Sequence, residues 1–225
     1  LHTHVAETKD EERFCIEKLG KRPLEFMESV DWVGDDVWYA HGIHFNDEEL
    51  KLLKETGTGI AHCPVSKLKL ASGVCRLPEM LNMGINVGLA VDGSASNDGS
   101  NLLAEIRSAY LLHRLNSSNK APSGYDILKT ATKGSASVLG RTDIGELSIG
   151  KAADFFVIDS KGLDMVGTFT DPANLIATTG YNKPADYVFV AGKLISEKGI
   201  LIGIDEEKIA YTANKKVKEL LDKRK

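Results

Sequence analysis

Four polar residues close four successive apolar runs. His4 ends the opening run, His41 follows Val37-Trp38-Tyr39-Ala40, His62 follows Gly59-Ile60-Ala61, and Asp92 follows Val87-Gly88-Leu89-Ala90-Val91. The intervals are 37, 21 and 30 residues, each the size of one strand-plus-helix unit. Imidazole and carboxylate are donors that suit a divalent cation of borderline hardness, zinc first, with iron or manganese as alternatives. His4 and Asp92 are therefore candidate metal ligands. Glu7, three residues beyond His4, stands at the rim, where a carboxylate can carry a proton between metal-activated water and a substrate. Taken singly, each has a plainer reading: a strand-end histidine is usually a hydrogen-bonded core residue, and Glu7 is an acidic charge favoured by a helix start. Four such ends in one series favour a site.

The elements that must position these residues follow from hydrophobic period and cap signals. Residues 1 to about 145 alternate short apolar runs with amphipathic stretches, the pattern of βα units around a parallel sheet. Thr8 with Glu11 reads as a capping box, and Pro23 starts a helix that presents Leu24, Met27 and Val30. Asn46 with Glu49 repeats the box before Leu50 and Leu53, and Gly57 stops that helix. A loop from Ser66 to Gly73 leads to a helix over 77–83 closed by Gly84. Further helices are expected over 101–112 and 123–133. In a parallel α/β barrel all C-terminal strand ends point to one face, so His4, His41, His62 and Asp92 should converge there. Gly93-Ser94-Ala95-Ser96 reads as an ordinary turn or as small residues, Ser94 among them, leaving room for a planar ligand.

Beyond 144 the texture changes. A turn-rich hairpin at 145–151, strands at 154–159 and 187–193, and their continuation over 194–204 suggest part of a small antiparallel sandwich. Residues 206–225 read as a charged amphipathic helix with Ile209, Val217, Leu220 and Leu221, whose terminal Lys and Arg cluster meets the helix dipole. The expected division is 1–143, second half of a barrel; 144–204, sandwich segment; 205–225, C-terminal helix. The opening Leu1-His2-Thr3-His4 reads as the interior of a strand, so the chain is expected to be a fragment.

Composition narrows the function. The 225 residues carry 28 basic and 32 acidic side chains, a balance that gives no electrostatic reason to bind nucleic acid or an anionic membrane. No apolar run approaches the roughly 20 residues that span a bilayer, and no signal peptide opens the chain, so a cytoplasmic protein is expected. Cys15, Cys63 and Cys75 form neither a CxxC pair nor a disulfide framework. A deaminase site built on HxE and PCxxC is excluded: the cysteine after Cys63 is Cys75, twelve positions on, and no HxE precedes it. GxSxG and GxxxxGK[ST] are absent.

The segments His2-Thr3-His4-Val5-Ala6-Glu7, Ala40-His41-Gly42-Ile43-His44, Ala61-His62-Cys63-Pro64-Val65-Ser66, Val91-Asp92-Gly93-Ser94-Ala95-Ser96-Asn97-Asp98 and Gly145-Glu146-Leu147-Ser148-Ile149-Gly150-Lys151-Ala152-Ala153-Asp154 together resemble the amidohydrolase superfamily, in its aromatic-base deaminase branch. Within that branch, residues 11–15, 34–38 and 70–76 are most similar to the 8-oxoguanine deaminases. The resemblance implies a (β/α)8 metal-dependent hydrolase barrel of which this chain is the C-terminal half, and one divalent metal, zinc with iron as the alternative. It implies that His4 is the fifth-strand ligand and Glu7 the proton-shuttling acid of HxxE. His41 becomes the sixth-strand residue that polarises the attacking water or substrate, and Asp92 the eighth-strand ligand and general base. His62 ends strand seven, behind the ligands. The first-strand HxH of the family should lie about 130 to 180 residues upstream. Lys67 stands where relatives more often carry Asn, which changes charge and hydrogen-bond geometry near the substrate.

The implied reaction is hydrolytic deamination of a heteroaromatic base, 8-oxoguanine or guanine. Glu7 protonates a ring nitrogen, His41 stabilises the tetrahedral species, and Asp92 takes the water proton and hands it to departing ammonia. The partners are the small heteroaromatic substrate and water, with a homo-oligomer as a further expectation. Two rivals remain: the same site acting on s-triazines or other cyclic C–N bonds, and a non-catalytic truncated fragment.

Overall fold

The alternating apolar runs become strands, and the residues that cap the intervening stretches fix where the helices start. The computed structural model describes Leu1–Lys223. Strands β1 (His2–Val5), β2 (Trp38–His41), β3 (Gly59–His62) and β4 (Val87–Leu89) form one sheet in sequential order, every pair parallel. Helices α1 (Lys9–Leu19) and α2 (Pro23–Glu28) separate β1 from β2, α3 (Asp47–Thr56) separates β2 from β3, and α4 (Pro64–Leu70) and α5 (Leu77–Met83) separate β3 from β4. Helical connections of this kind are what parallel strands require. Tyr39, Ile60, Leu24, Leu50, Leu53, Leu77 and Met80 are fully buried beneath them, each worth about 1.5–3 kcal/mol.

Local chemistry accounts for most boundaries. Asn46 and Glu49 form the reciprocal capping box of α3, and left-handed glycines, Gly57 and Gly84, close α3 and α5. Thr8 caps α1 by accepting from the Glu11 N–H at 3.1 Å. Glu11 does not complete the expected box, however. Its carboxylate reaches past the cap to accept from the Ala6 and Glu7 amides at 2.8 and 2.7 Å. The Ser66–Gly73 stretch, expected as a loop, begins as helix α4, because Pro64 in its first turn sets φ and costs no needed N–H. Val30 lies beyond α2 and is exposed.

After β4, α6 (Leu102–Ser117) runs longer than the expected 101–112, with Asn101 as its cap. Then α7 (Gly124–Lys129), a π turn over Thr130–Gly134 and α8 (Ser135–Val138) follow without a break. The π turn lies against β4 so closely that a Cβ on Gly134 would stand 2.2 Å from the Val87 carbonyl oxygen. Residues 145–151 form turns, not a hairpin; Lys133 and Lys151 both pair with Glu146 there.

The chain divides into two compact units at places other than the expected break near 144: Leu1–Lys151 with Ser160–Asn182, and Ala152–Asp159 with the residues from Lys183 on. Residues 160–182 belong with the first unit because α9 (Leu175–Thr179) packs on α6 and α7. Ile176 and Ala177 are buried there, and Arg107 donates to the Ala177 and Thr178 carbonyls at 2.7 and 2.5 Å. In the second unit β5 (Phe155–Val157), β6 (Tyr187–Val190), β7 (Lys193–Glu197) and β8 (Ile200–Leu201) make one antiparallel sheet. Helix α10 (Glu206–Asp222) clusters with this unit instead of standing apart. Of the terminal cationic cluster, Lys223 follows the helix, and Arg224 and Lys225 lie outside the described residues. Among the described residues no helix is long and apolar enough to cross a membrane.

Candidate metal-dependent active site

The strand ends carry backbone strain. Ala6, His41 and Asp92 have φ of 55°, 82° and 65°, a region that costs non-glycine residues about 1–3 kcal/mol and that clusters at functional sites. Register brings two imidazoles together: His4 is opposite Ala40 and Val5 opposite His41. His4 Nδ1 and His41 Nε2 lie 3.2 Å apart, with the rings edge-on at 87°. Glu7 Oε2 is 3.5 Å from His41 Nε2 and 3.8 Å from His4 Nδ1. The two bonds from Glu11 pin the backbone amides of this turn, so the position of Glu7 is set by α1.

Helix α4 supplies the other side. Ser66 Oγ donates to Asp92 Oδ2 at 2.5 Å, joined by Ser96 Oγ at 3.0 Å, while the Gly93 amide donates to Oδ1 at 2.8 Å. Burial works against the Asp92 carboxylate, but these three donors outweigh it and hold its pKa at about 2. The next residue of α4, Lys67, is fully buried; its ammonium bonds Glu7 Oε1 and lies 3.9 Å from Asp92 Oδ2. Burial, and then the Lys67 charge, push the His41 pKa down to about 4, so its imidazole is neutral at pH 7.

The donor set fits a divalent ion. Ligand atoms bound at 2.0–2.2 Å around one ion lie about 3–4 Å apart, and among the described residues His4, Glu7 and His41 offer atoms all within 4.8 Å of one another. Asp92 is not in that group. It connects to it through Lys67, whose ammonium bonds Glu7 and lies 3.9 Å from Asp92 Oδ2.

The amidohydrolase family model matches residues 1–195. The chain belongs to the amidohydrolase family. It is 45% identical over 205 residues to the 8-oxoguanine deaminase of Pseudomonas aeruginosa, covering 91% of this chain and 45% of that protein. It is 41% identical to the hydroxydechloroatrazine ethylaminohydrolase of Pseudomonas sp. strain ADP, covering 95% of this chain and 45% of that protein. Among solved structures, the atrazine chlorohydrolase TrzN from Arthrobacter aurescens TC1 complexed with zinc superposes with a TM-score of 0.90 at 37% identity, over 95% of this chain and 48% of that one. The chain spans about half the length of the relatives it matches.

Besides Asp92, two more residues singled out in the sequence lie outside the cluster. His62 is fully buried and its Nε2 faces His113 Nε2 at 3.2 Å, so it pairs within the core. Ser94 is exposed, and Ser96, two residues on, is the hydroxyl that bonds Asp92. Three contributors went unmarked by spacing. Ser66 and Lys67 sit on a helix read as a loop, although Pro64 was a usable start signal. Glu105, buried on α6, accepts from the Val65 amide at 3.0 Å and from Asn97 Nδ2 at 2.5 Å, tying α4 to the loop after Asp92.

Proposed function

We propose that this chain contributes the second half of a (β/α)8 amidohydrolase barrel and that the enzyme hydrolytically deaminates a heteroaromatic base, 8-oxoguanine or guanine, with release of ammonia. The observation that carries the reading is the meeting of His4, Glu7 and His41 at the C-terminal ends of two adjacent parallel strands, with His41 in a left-handed conformation. His4 would hold one divalent ion, zinc by its donor types with iron as the alternative, and Asp92, which lies outside the His4–Glu7–His41 group, is the second ligand of the proposal. Such an ion brings the pKa of a coordinated water toward neutrality. Glu7, anchored through Oε1, presents Oε2 to protonate a ring nitrogen of the substrate, and it recovers that proton from the hydroxyl of the tetrahedral species as the ring carbonyl forms. The neutral His41 imidazole orients the attacking water or the oxygen that forms. Asp92, kept anionic by its three donors, accepts the water proton and returns it to the departing amine. The ring carbon thereby exchanges its amino group for oxygen, and one water is consumed per ammonia released.

The similarity to a hydroxydechloroatrazine ethylaminohydrolase supports a second reading, in which the same groups release an alkylamine from a hydroxy-triazine. Assaying the zinc-loaded enzyme for ammonia or ethylamine from guanine, 8-oxoguanine, cytosine and the N-ethyl hydroxy-triazine separates the two. Glu7→Gln should keep metal content and lower turnover by about 100- to 10,000-fold; turnover at the wild-type rate in that variant would remove Glu7 from the chemistry.

A further inference from the structure

Lys67 is a buried cation, and everything its ammonium touches belongs to the proposed site. Burying an ammonium is costly unless it is paired and hydrogen-bonded, and this one is satisfied by Glu7 Oε1, with Asp92 Oδ2 at 3.9 Å. The two oxygens of Glu7 are thereby divided. One is tethered to α4, and the other faces His41 at 3.5 Å and His4 at 3.8 Å. Glu7 has three side-chain torsions, and Glu11 grips its backbone amide. That grip fixes the Cα of Glu7 but not its carboxylate. Lys67 in turn is rooted by the Ser66–Asp92 bond beside it and by the Glu105 carboxylate that accepts from the Val65 amide two residues earlier, so it is a stiff anchor.

We infer that Lys67 is a positioning residue: it fixes the rotamer of Glu7 so that Oε2 alone is offered to the substrate ring. This rests on the deaminase reading, in which Glu7 is the proton donor. A misplacement of about 1 Å in such a group costs about 100-fold in rate. Lys67→Met, which retains the stem and removes the ammonium, should lower kcat by about 10- to 100-fold, leave KM within about threefold and leave bound zinc unchanged. Lys67→Arg, which retains a donor, should recover part of that loss.

The deciding experiment is a double-mutant cycle in the zinc-loaded enzyme, with kcat, KM, zinc content and far-UV circular dichroism read for Lys67→Met, Glu7→Gln and the pair. Acting through Glu7, Lys67→Met should produce no further fall in the Glu7→Gln background. Three results overturn the inference: an unchanged kcat in Lys67→Met, a loss of the same factor in both backgrounds, or a loss that tracks missing zinc. If Lys67→Met fails to fold, Lys67→Asn, whose amide is too short to reach Glu7, carries the same expectations. Wild-type turnover in Glu7→Gln alone would instead sink the deaminase reading, which is a separate outcome.

Discussion

Replacing Glu105 with glutamine should change how stability depends on pH, because that carboxylate is fully buried yet accepts two hydrogen bonds, from the Val65 amide and from Asn97. Burial raises its pKa from the ordinary 4.5 to about 7, outweighing both donors. The folded state thus binds this proton more tightly than the unfolded chain does. The contribution is fully present below about pH 4.5 and is lost as pH rises through about 7. At about 1.4 kcal/mol per pH unit, that interval bounds the effect at about 3 kcal/mol, of which about 2 falls between pH 5 and pH 8. Glutamine cannot titrate. Its amide would face one of the two donors, since Asn97 Nδ2 also holds the Val91 carbonyl at 2.7 Å, a pH-independent loss of about 1–2 kcal/mol. Urea unfolding of both proteins at pH 5, 6, 7 and 8 isolates the difference, in which every other titrating group cancels. Wild type should hold its largest advantage over Glu105→Gln at pH 5 and lose about 2 kcal/mol of it by pH 8. A difference that stays flat, or that grows with pH, would refute the account.

The remaining expectations are simpler to test. His113→Leu strands His62 Nε2 in the core without its partner at 3.2 Å and should cost about 1–3 kcal/mol in urea unfolding. Burial pushes the His113 pKa down from 6.5 to about 4, so its contribution is intact above about pH 6.5 and lost as pH falls toward 4. The variant should therefore lose less stability than wild type over that interval, and an equal or steeper loss would contradict the assignment. Gly134→Ala places a methyl 2.2 Å from the Val87 carbonyl oxygen. It should lower thermal stability by about 1–3 kcal/mol, because the π turn must move off β4, whereas a change under about 0.5 kcal/mol would show that the contact gives way freely.

What was legible in the sequence was whatever short-range chemistry decides. The Asn46–Glu49 box, the left-handed glycines at 57 and 84, and the apolar runs ending at His41 and His62 all depend on residues within a few positions of one another, and they fall where expected. Strand spacing puts His4 and His41 side by side at the ends of adjacent parallel strands, and Glu7 joins them from the turn that follows β1. Less legible was anything decided by a partner far along the chain. Helix α4 was read as a loop because its apolar Leu68 and Leu70 face solvent while its lysine at 67 is buried, the reverse of the pattern from which amphipathic helices are inferred. His62 lies within electrostatic reach of His41 and Lys67, as expected, but the partner that faces its ring, His113, is 51 residues on in α6 and is not signalled by strand spacing. The second unit is expected as part of a sandwich, and its alternation reports the strands and turns of one antiparallel sheet without saying what would face it.

The position of α4 links the two ends of the proposed chemistry. Adjacent residues on one turn reach carboxylates that belong to different strands, Ser66 to Asp92 after β4 and Lys67 to Glu7 after β1. Lys69, two residues further on, bonds the Ala95 carbonyl at 3.1 Å and Asp98 at 2.6 Å in the loop that follows Asp92, and Glu105 secures both that loop and the start of the helix. A rigid-body shift of this short helix therefore moves the proposed acid and the proposed base together, and the strained backbone at Ala6, His41 and Asp92 leaves them little room to adjust independently. In physical terms Glu7 and Asp92 are energetically coupled through two neighbouring side chains, so effects of substitutions at 66 and 67 on the two carboxylates should be non-additive even though Glu7 and Asp92 follow opposite edge strands of the sheet.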